Sequence, residues 1–383
     1  MLSAIQKLGA ELRESSDGTK VEIERGLAAV YRDQPVDIFV ANSGTTIRFL
    51  AAALSAVGGY YRLDGVARMR ERPIADLLQS ISALGVVAIS ESESGCPPVI
   101  LRGDGWRGGE VTVAGSVSSQ FLSGLLMAAP YSKGPINLHV VGDLVSRPYV
   151  KMTCKVMEKF GVAVEELAPD HFRIEAPQPY RGTTLEIEPD ASAASYPWAA
   201  AAITSGEVTV EGLSRRSLQG DVEFCDVLEQ MGCTVTWNND SVTVNGGSLR
   251  GIDVDMSNIS DTVQTLSIVA LVADGPTRVR GVAHNRFKET DRIADLAREL
   301  RKLGAIVEEH PDGLTINPPA QILPAIIDTY HDHRMAMSFS LAGLVAPGVK
   351  ILNPSCTAKT YPEYFADLER LTGRAHHWEA AAT

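Results

Sequence analysis

The chain has 383 residues, of which 45% are hydrophobic and 21% are charged, and its formal net charge is −12. The length predicts about two or three domains. The acidic balance disfavours nucleic acid and anionic membrane surfaces as partners, whereas small anions can still bind where a few cations converge.

The cysteines and the N-terminal segment indicate the cellular compartment of the protein. The five cysteines form no CxxC pair and show no metal-ligand spacing, which is typical of reduced thiols in a cytoplasmic protein. The first residues lack the apolar core and the cleavage site of a signal peptide. No apolar run approaches the roughly 18 residues of a membrane span. We therefore expect a cytoplasmic protein.

An internal repeat runs along the whole chain. Six amphipathic segments each end at a glycine, namely Gly9, Gly85, Gly161, Gly232, Gly304 and Gly373. The successive spacings lie between 69 and 76 residues. Glycine directly after the last apolar position of a helix is typical of a C-terminal cap. Chance recurrence of such glycines is the alternative, and the regular spacing argues against it.

Each repeat also predicts a hairpin and a second helix. After Gly9, Gly232 and Gly304, alternating segments flank turns such as SSDGT, NND and HPDG, as expected for β-hairpins. About 40 residues before each of the last five glycines, a polar loop opens an apolar helix. The predicted unit is therefore a loop, a buried helix, a linking strand, an amphipathic helix and a hairpin. A period near 70 residues exceeds the roughly 20–50 residues of solenoid repeats.

Six such units predict an α/β (α+β) fold with two similar domains of βαβαββ repeats. We place the crossover at Leu185–Pro189, so that the domains are 1–187 and 188–383. The first repeat is incomplete, because the chain begins eight residues before Gly9 and lacks its helix-opening loop.

The five helix-opening loops are candidates for anion binding. They span 42–50, 116–126, 190–198, 257–266 and 330–339. A helix start presents free backbone N–H groups and the positive end of the helix dipole, which together attract anions. The alternative is that their Ser, Thr, Asp and Asn residues are ordinary N-caps.

Cations cluster in the same parts of the sequence. They are Arg68, Arg70 and Arg72 in ARMRERP, Arg286, Lys288 and Arg292 in NRFKETDR, Arg334 after HDH, and Lys359 in SCTAKTYP. Arginine suits bidentate capture of phosphate or carboxylate. Any single cation could instead be solvated surface charge, but these strings mix charge with Met, Phe or Pro, unlike a solvated helix face.

The sequence gives little support for a metal site, a serine nucleophile or a nucleotide-binding site. His331 and His333 form an HxH pair without a third ligand, so no metal is expected. Ser118 and Ser119 lack the GxSxG context of a nucleophile, and no nucleotide-binding loop is present. His284 is either a site residue or a satisfied loop residue.

Several of these strings, together with others along the chain, resemble those of a known family, the 5-enolpyruvylshikimate-3-phosphate synthases. The matching strings, in the family's order over nearly the whole chain, are NSGTTIRFL, RMRERPI, SVSSQFLSGLLMAAP, GDLVSRPYV, DASAASY, QGDVEF, KETDRI, DHRMAMSFSL and CTAKTYPEYF. The resemblance implies the enolpyruvyl transferase fold, also called the inverse αβ-barrel. It implies transfer of the enolpyruvyl group of phosphoenolpyruvate to the 5-hydroxyl of shikimate 3-phosphate, with release of phosphate, on the pathway to chorismate and the aromatic amino acids. It implies no cofactor and no metal, and the family is the target of glyphosate. We expect a monomer.

The resemblance also implies roles for individual residues. The expected phosphoenolpyruvate contacts are Gly44, Arg72, Gln120, Arg292, Arg334 and Lys359. The expected shikimate 3-phosphate contacts are Ser118, Ser119, Gln120, Ser146, Tyr149, Asp261, His284 and Lys288. Asp261 is expected to take the hydroxyl proton and Glu289 to shuttle a proton at the methylene carbon, with Lys359 as a third catalytic group.

The family's P-G-S-K-S-x-S-x-R string, at the first helix-opening loop, has no counterpart in this chain. Either Met1 is an internal methionine of a longer protein, or the chain is short and weakened. We expect the 383-residue chain alone to fold poorly or to turn over slowly. The alternatives to an active synthase are a non-catalytic remnant that binds a phosphorylated ligand and a UDP-N-acetylglucosamine enolpyruvyl transferase, whose reactive-cysteine loop is not recognisable here.

Overall fold

The computed structural model describes residues 1–377, which form two compact units. Unit 1 comprises Met1–Glu186 together with Phe287–Glu289, and unit 2 comprises Ile187–Arg286 and the chain from Thr290 onward. The chain thus passes from unit 1 to unit 2 inside the segment that the sequence predicts as the crossover. The assignment of three repeats to each of two domains, 1–187 and 188–383, stays a prediction.

Unit 1 opens with a short helix and a hairpin. These elements are α1 (Leu2–Lys7), β1 (Glu11–Glu14) and β2 (Val21–Arg25). The two strands pair only with each other, in an antiparallel register. They are the elements that the sequence predicts on either side of Gly9, whose backbone is left-handed with φ of 89°.

Two complete βαβαββ repeats follow. The first consists of β3 (Val36–Phe39), α2 (Gly44–Val57), β4 (Gly59–Asp64), α3 (Ala75–Ala83), β5 (Val87–Ser90) and β6 (Val99–Gly103). The second consists of β7 (Gly109–Ala114), α4 (Ser119–Ala128), β8 (Ile136–Val141), α5 (Arg147–Lys159), β9 (Glu165–Ala168) and β10 (His171–Ile174). Their sheets have the same strand order, β3-β4-β6-β5 and β7-β8-β10-β9, in which the first pair is parallel and the others antiparallel.

Unit 2 repeats this pattern. Its first repeat has α6 (Ala191–Thr204), β11 (Glu207–Glu211), α7 (Phe224–Met231), β12 (Thr234–Trp237) and β13 (Ser241–Asn245). The next has β14 (Asp253–Asp255), α8 (Val263–Ala270), β15 (Thr277–Arg280), α9 (Ala294–Lys302), β16 (Ile306–His310) and β17 (Gly313–Asn317). The last has β18 (Ile326–Ile327), α10 (His333–Ala342), β19 (Lys350–Ile351) and α11 (Tyr364–Thr372). The sheet orders are β11-β13-β12, β14-β15-β17-β16 and β18-β19.

The helices that follow the polar loops form the interiors of the units. In unit 2, α6, α8 and α10 pack against one another. Their buried hydroxyls meet at Ser195, Thr265 and Ser338, with oxygen–oxygen distances of 3.1 Å and 3.3 Å. In unit 1, α2 packs on α4. Gly124 permits this approach, because a Cβ there would lie 3.3 Å from the Arg48 carbonyl oxygen. Residues that begin these helices are thereby brought to one end of each unit's helix layer.

The predicted repeat is confirmed in its details. All six repeat glycines have a positive φ, between 64° and 115°. The α/β class and the βαβαββ unit are confirmed as well, since three copies of the unit are complete. Among residues 1–377, no helix combines the length and the apolar character needed to cross a bilayer.

Candidate active site

Four of the five helix-opening loops provide side-chain N-caps, as the alternative interpretation held, and anion binding at these helix starts stays a prediction. Ser43, Ser118, Asp190 and Asp332 each accept a hydrogen bond from a backbone N–H in the first turn of α2, α4, α6 or α10. The fifth helix, α8, is entered through a 3₁₀ turn at Ser260–Thr262 instead. Candidate binding groups are therefore the side chains around these helix starts.

In unit 1, a buried guanidinium lies at the start of α2. The Arg72 side chain is only 4% exposed and donates to the Asn42 carbonyl oxygen at 3.0 Å and to the Phe287 carbonyl oxygen at 3.3 Å. Glu289 Oε1 lies 4.0 Å from its Nη1. Gly44 is required by this arrangement, because a Cβ at that position would lie 2.5 Å from Arg72 Nη2. The predicted Gly44, Arg72 and Glu289 therefore belong to one cluster.

A second buried arginine, Arg48, connects α2 to α4. Its Nη1 donates to Ser118 Oγ at 3.1 Å and to Gln120 Oε1 at 2.9 Å. The Gln120 amide in turn donates to Thr45 Oγ1 at 2.8 Å. Burial, reinforced by the nearby positive charge of Arg72, lowers the pKa of Arg48 to about 9. A cation desolvated in this way favours an anion beside it, and Glu289 supplies part of that compensation.

The remaining predicted residues of unit 1 lie at helix starts or on the 287–289 segment. Ser119 is buried at the first position of α4, and Tyr149 lies in the first turn of α5. Ser146 precedes α5, is 3% exposed and has a left-handed backbone with φ of 53°. The carbonyl oxygen of Lys288 accepts from Arg68 at 3.3 Å and 3.4 Å.

In unit 2, two carboxylates and two arginines form one network. Arg292 is 2% exposed, and it donates from Nε and Nη2 to Asp332, a bidentate contact of 2.6 Å and 3.2 Å. Its Nη1 donates to Asp261 Oδ1 at 3.1 Å. Arg334 Nη2 donates to the other oxygen, Asp261 Oδ2, at 2.8 Å. The structure therefore brings the predicted Asp261, Arg292 and Arg334 into direct contact.

Asp332 holds both arginines of this network in place. Its carboxylate is fully buried, holds Arg292 and also accepts from the backbone N–H of Arg334 at 2.9 Å. Burying an arginine is costly unless its hydrogen-bonding groups are matched, and a bidentate carboxylate matches them. Asp332 therefore fixes one arginine through its side chain and the other through the helix start.

His284 lies behind the turn that carries Asp261. It is 3% exposed and its Nε2 lies 2.9 Å from Ser260 Oγ, while Asn285 donates to the Ser260 carbonyl oxygen at 2.9 Å. Both side chains thus brace the residue before Asp261. A contact of His284 with a ligand stays a prediction.

The three other residues singled out near α10 have different surroundings. Lys359 is exposed at the end of the 3₁₀ turn Pro354–Lys359, which packs against α10. His331 Nδ1 is 2.8 Å from Asn353 Nδ2, whereas His333 is buried beside Asp332. Within residues 1–377, no group of three or more His, Cys, Asp or Glu side chains is arranged to hold a metal ion.

Comparison with known proteins agrees with the family resemblance seen in the sequence. The family model described as EPSP synthase (3-phosphoshikimate 1-carboxyvinyltransferase) matches residues 1–368. The chain belongs to the EPSP synthase family.

Similar proteins carry this name in plants and bacteria. The chain is 46% identical to the chloroplastic 3-phosphoshikimate 1-carboxyvinyltransferase of Brassica napus, covering 97% of this chain and 75% of that protein. It is 45% identical to the Vibrio cholerae enzyme, covering 97% and 88%. A crystal structure of EPSP synthase from Acinetobacter baumannii superposes with a TM-score of 0.77 and 26% identity, covering 97% of this chain and 86% of that one.

These comparisons confirm the predicted family and the enolpyruvyl transferase fold. They do not favour a UDP-N-acetylglucosamine enolpyruvyl transferase or a non-catalytic remnant. The roles expected of individual residues within the EPSP synthase family stay predictions.

Sequence reasoning missed three residues of these networks. They are Arg48, Ser260 and Asp332, each of which lies in a helix-opening loop, and that position is their signal in the sequence. Their roles depend on partners far away in the chain, such as His284, which is 24 residues from Ser260.

Proposed function

We propose that this protein transfers the enolpyruvyl group of phosphoenolpyruvate to the 5-hydroxyl of shikimate 3-phosphate and releases phosphate. The proposal rests on membership of the EPSP synthase family and on one observation in the structure. The Asp261 carboxylate is held on both oxygens by Arg292 and Arg334. This arrangement puts a proton acceptor among the cations that an anionic substrate requires.

The cations divide between the two substrates. We assign phosphoenolpyruvate to Arg72, Arg292, Arg334 and Lys359, with Gly44 and Gln120 supporting the arginine positions. Arginine forks match carboxylate and phosphate oxygens in two-point contacts. Burial supports the assignment for Arg72 and Arg292, because a desolvated guanidinium attracts an anion more strongly than an exposed one.

We assign shikimate 3-phosphate to Ser118, Ser119, Ser146 and Lys288, chiefly at its phosphate, with Gln120, Tyr149 and His284 beside it. The serines lie at helix starts, where hydroxyl groups and backbone N–H groups can together bind phosphate oxygens. Asp261 binds the 5-hydroxyl in this assignment.

The chemistry follows as addition and elimination. Asp261 takes the proton of the 5-hydroxyl as its oxygen attacks C2 of phosphoenolpyruvate, and Glu289 gives a proton to C3. The resulting tetrahedral ketal phosphate is stabilised by the arginines and Lys359. The C2–O bond to phosphate then breaks, and the departing phosphate takes up the proton that Asp261 holds. Glu289 takes a proton back from the C3 methyl group, so both carboxylates return to their starting state as the enol ether and phosphate leave. No cofactor or metal enters any step.

We further propose that the protein acts as a monomer in the cytoplasm and binds neither nucleic acid nor membrane. The net charge of −12 and five free cysteines support this proposal.

Phosphate release under steady-state conditions tests the function. The purified chain is given shikimate 3-phosphate and phosphoenolpyruvate together, each alone, and phosphoenolpyruvate with UDP-N-acetylglucosamine. We expect release only with the first pair. Equal release without shikimate 3-phosphate, or release with the UDP-sugar alone as acceptor, would refute the proposal.

A further inference from the structure

Backbone strain is concentrated just before helices and turns that carry proposed site residues. Within the described residues, six non-glycine residues have a positive φ, namely Ala41, Ser146, Ser205, Tyr330, His331 and Asn353. Ala41 precedes the loop into α2, and Asn353 precedes the turn that ends at Lys359. A strained backbone conformation persists only where contacts with the surrounding structure stabilise it. Each of these residues must therefore be held by such contacts.

The loop into α10 has two such residues in succession. Tyr330 has φ of 51° and His331 has φ of 56°, directly before Asp332. A bulky aromatic residue in the left-handed region is a true outlier, because its Cβ crowds the backbone there. This loop therefore depends on contacts that hold it in place.

The Tyr330 hydroxyl supplies one such contact. It donates to Glu299 Oε1 at 2.6 Å and accepts from Arg298 Nη1 at 3.0 Å. Burial, together with the hydrogen bond to Glu299, raises the pKa of Tyr330 to about 12, so the phenol keeps its proton at neutral pH.

Glu299 is a rigid anchor for this hydroxyl. Its side chain is fully buried within α9, and its second oxygen accepts from Lys302 Nζ at 2.6 Å and from the Asp328 backbone N–H at 3.0 Å. The carboxylate therefore joins α9 to both ends of the short stretch from Asp328 to Tyr330.

The segment that leads into α9 holds the loop at a second point. Arg292, just before α9, makes the bidentate contact with Asp332. The loop is thus fixed to α9 by Tyr330 on one side of His331 and by Asp332 on the other. Asp332 in turn receives the Arg334 backbone N–H, and Arg334 contacts Asp261.

We infer that Tyr330 is a positioning residue for the proposed reaction. Its hydroxyl bond to Glu299 keeps the left-handed loop in the conformation in which Asp332 binds Arg292 and Arg334 donates to Asp261. The expected change in KM rests on the proposed function. The expected loosening of the loop does not depend on that function.

The decisive variant is Tyr330→Phe, which removes only the hydroxyl. Its matched control is Tyr180→Phe, which removes a hydroxyl that donates to the Met127 carbonyl oxygen at 2.9 Å in unit 1. Amide hydrogen exchange of peptides covering 328–336 is measured for both variants and the wild type. Steady-state KM values for the two substrates are measured in parallel.

For Tyr330→Phe we expect exchange in 328–336 to accelerate about tenfold, with the rest of the chain unchanged. We expect the KM for phosphoenolpyruvate to rise about fivefold or more, and the KM for shikimate 3-phosphate to stay within about twofold. The Tyr180→Phe control should change none of these quantities.

Unchanged exchange in 328–336 would overturn the inference, whatever the activity. A wild-type chain without turnover would refute the proposed function alone, since the exchange result still decides the role of Tyr330. If Tyr330→Phe does not fold, Tyr330→Asn replaces it, because asparagine tolerates the left-handed backbone but cannot reach Glu299. Accelerated exchange in that folded variant supports the inference, and wild-type exchange overturns it.

Discussion

At the scale of single residues, Gly44 shows how one missing side chain shapes the site. The first turn of α2 passes so close to Arg72 that a Cβ would lie 2.5 Å from its guanidinium. Arg72 is buried and hydrogen-bonded, so it has little room to retreat. Glycine is therefore required here for close approach and not for a special backbone angle.

We predict that Gly44→Ala displaces the Arg72 guanidinium and raises the KM for phosphoenolpyruvate about tenfold, with a smaller change in the KM for shikimate 3-phosphate. Steady-state kinetics with each substrate varied in turn measures the effect. The control is Gly26→Ala, because a Cβ at Gly26 meets no atom within 4 Å. Equal KM values in Gly44→Ala and in the control would contradict the assignment of Arg72.

Asp261 is the residue whose charge matters most in this account. Asp261→Asn keeps the shape of the side chain but removes the proposed base and the negative charge between Arg292 and Arg334. We predict a fall in kcat of about 10²–10⁴-fold, the usual contribution of a general base. Asp253→Asn is the control, since Asp253 pairs with Arg280 at the surface and is 62% exposed. A kcat for Asp261→Asn within twofold of the control would remove Asp261 from the mechanism.

At the scale of elements, four of the six repeats close in the same way. After the hairpin, the returning chain donates a backbone N–H to the carbonyl oxygen just before the repeat glycine. These bonds run from Arg107 to Leu84, from Arg181 to Phe160, from Arg250 to Met231 and from Leu323 to Leu303. They satisfy helix C-terminal carbonyls that would otherwise lack a partner. The glycine is needed because the chain must turn through a left-handed residue at this point.

Because of this closure, we predict that alanine substitution lowers the stability of the protein by different amounts at two glycines that both have a positive φ. Gly232 has φ of 115°, and a Cβ there would lie 2.4 Å from the Ser248 carbonyl oxygen. Gly275 has φ of 84° and no atom within 4 Å of such a Cβ. Gly275→Ala should cost about 1–2 kcal/mol of stability, the cost of the left-handed backbone alone.

Gly232→Ala should cost clearly more than that, because backbone atoms must move as well. Equilibrium unfolding in urea measures both variants. Equal losses would show that the returning chain is not held at the helix end.

The elements were predictable and the polar networks were not. Hairpins, helix starts and glycine caps depend on neighbours within a few residues, so the repeat could be recognised from the sequence. The positions of Arg72, Arg292 and Arg334 near helix starts followed from the same strings. By contrast, Arg292 meets Asp332 across 40 residues, and Arg48 meets Gln120 across 72. Such partners depend on how helices pack, which no local spacing encodes.

At the scale of the whole molecule, the chain builds two separate hydrophobic cores. One contains buried residues between Leu8 and Ile174, and the other contains residues between Ala191 and Tyr364. Each lies within a single unit, so each unit has an interior of its own. Several cysteines take part in this burial.

Their burial predicts slow thiol chemistry. It raises the pKa of Cys154 and of Cys356 to about 11, and it raises the pKa values of Cys225 and Cys233 as well. Because the thiolate is the reactive form, a disulfide reagent at pH 8 should label these four far more slowly than the unfolded chain. The readout is the labelling rate with and without urea, and equal rates would contradict the burial.

The same shifts give stability a pH dependence. The stabilisation from keeping these thiols neutral is fully present below pH about 9, their ordinary pKa, and is lost as the pH rises through about 11.

Proton NMR of the reaction in D₂O tests whether the protein forms the enol ether by addition and elimination. Addition and elimination at C3 predict that the enol ether product forms together with an equal amount of phosphate, and that its methylene carbon carries deuterium. The methyl group of the tetrahedral intermediate gains one solvent deuteron and then loses one of its three hydrogens. Formation of pyruvate and phosphate without the enol ether, or a product free of deuterium, would contradict the mechanism assigned to Asp261 and Glu289.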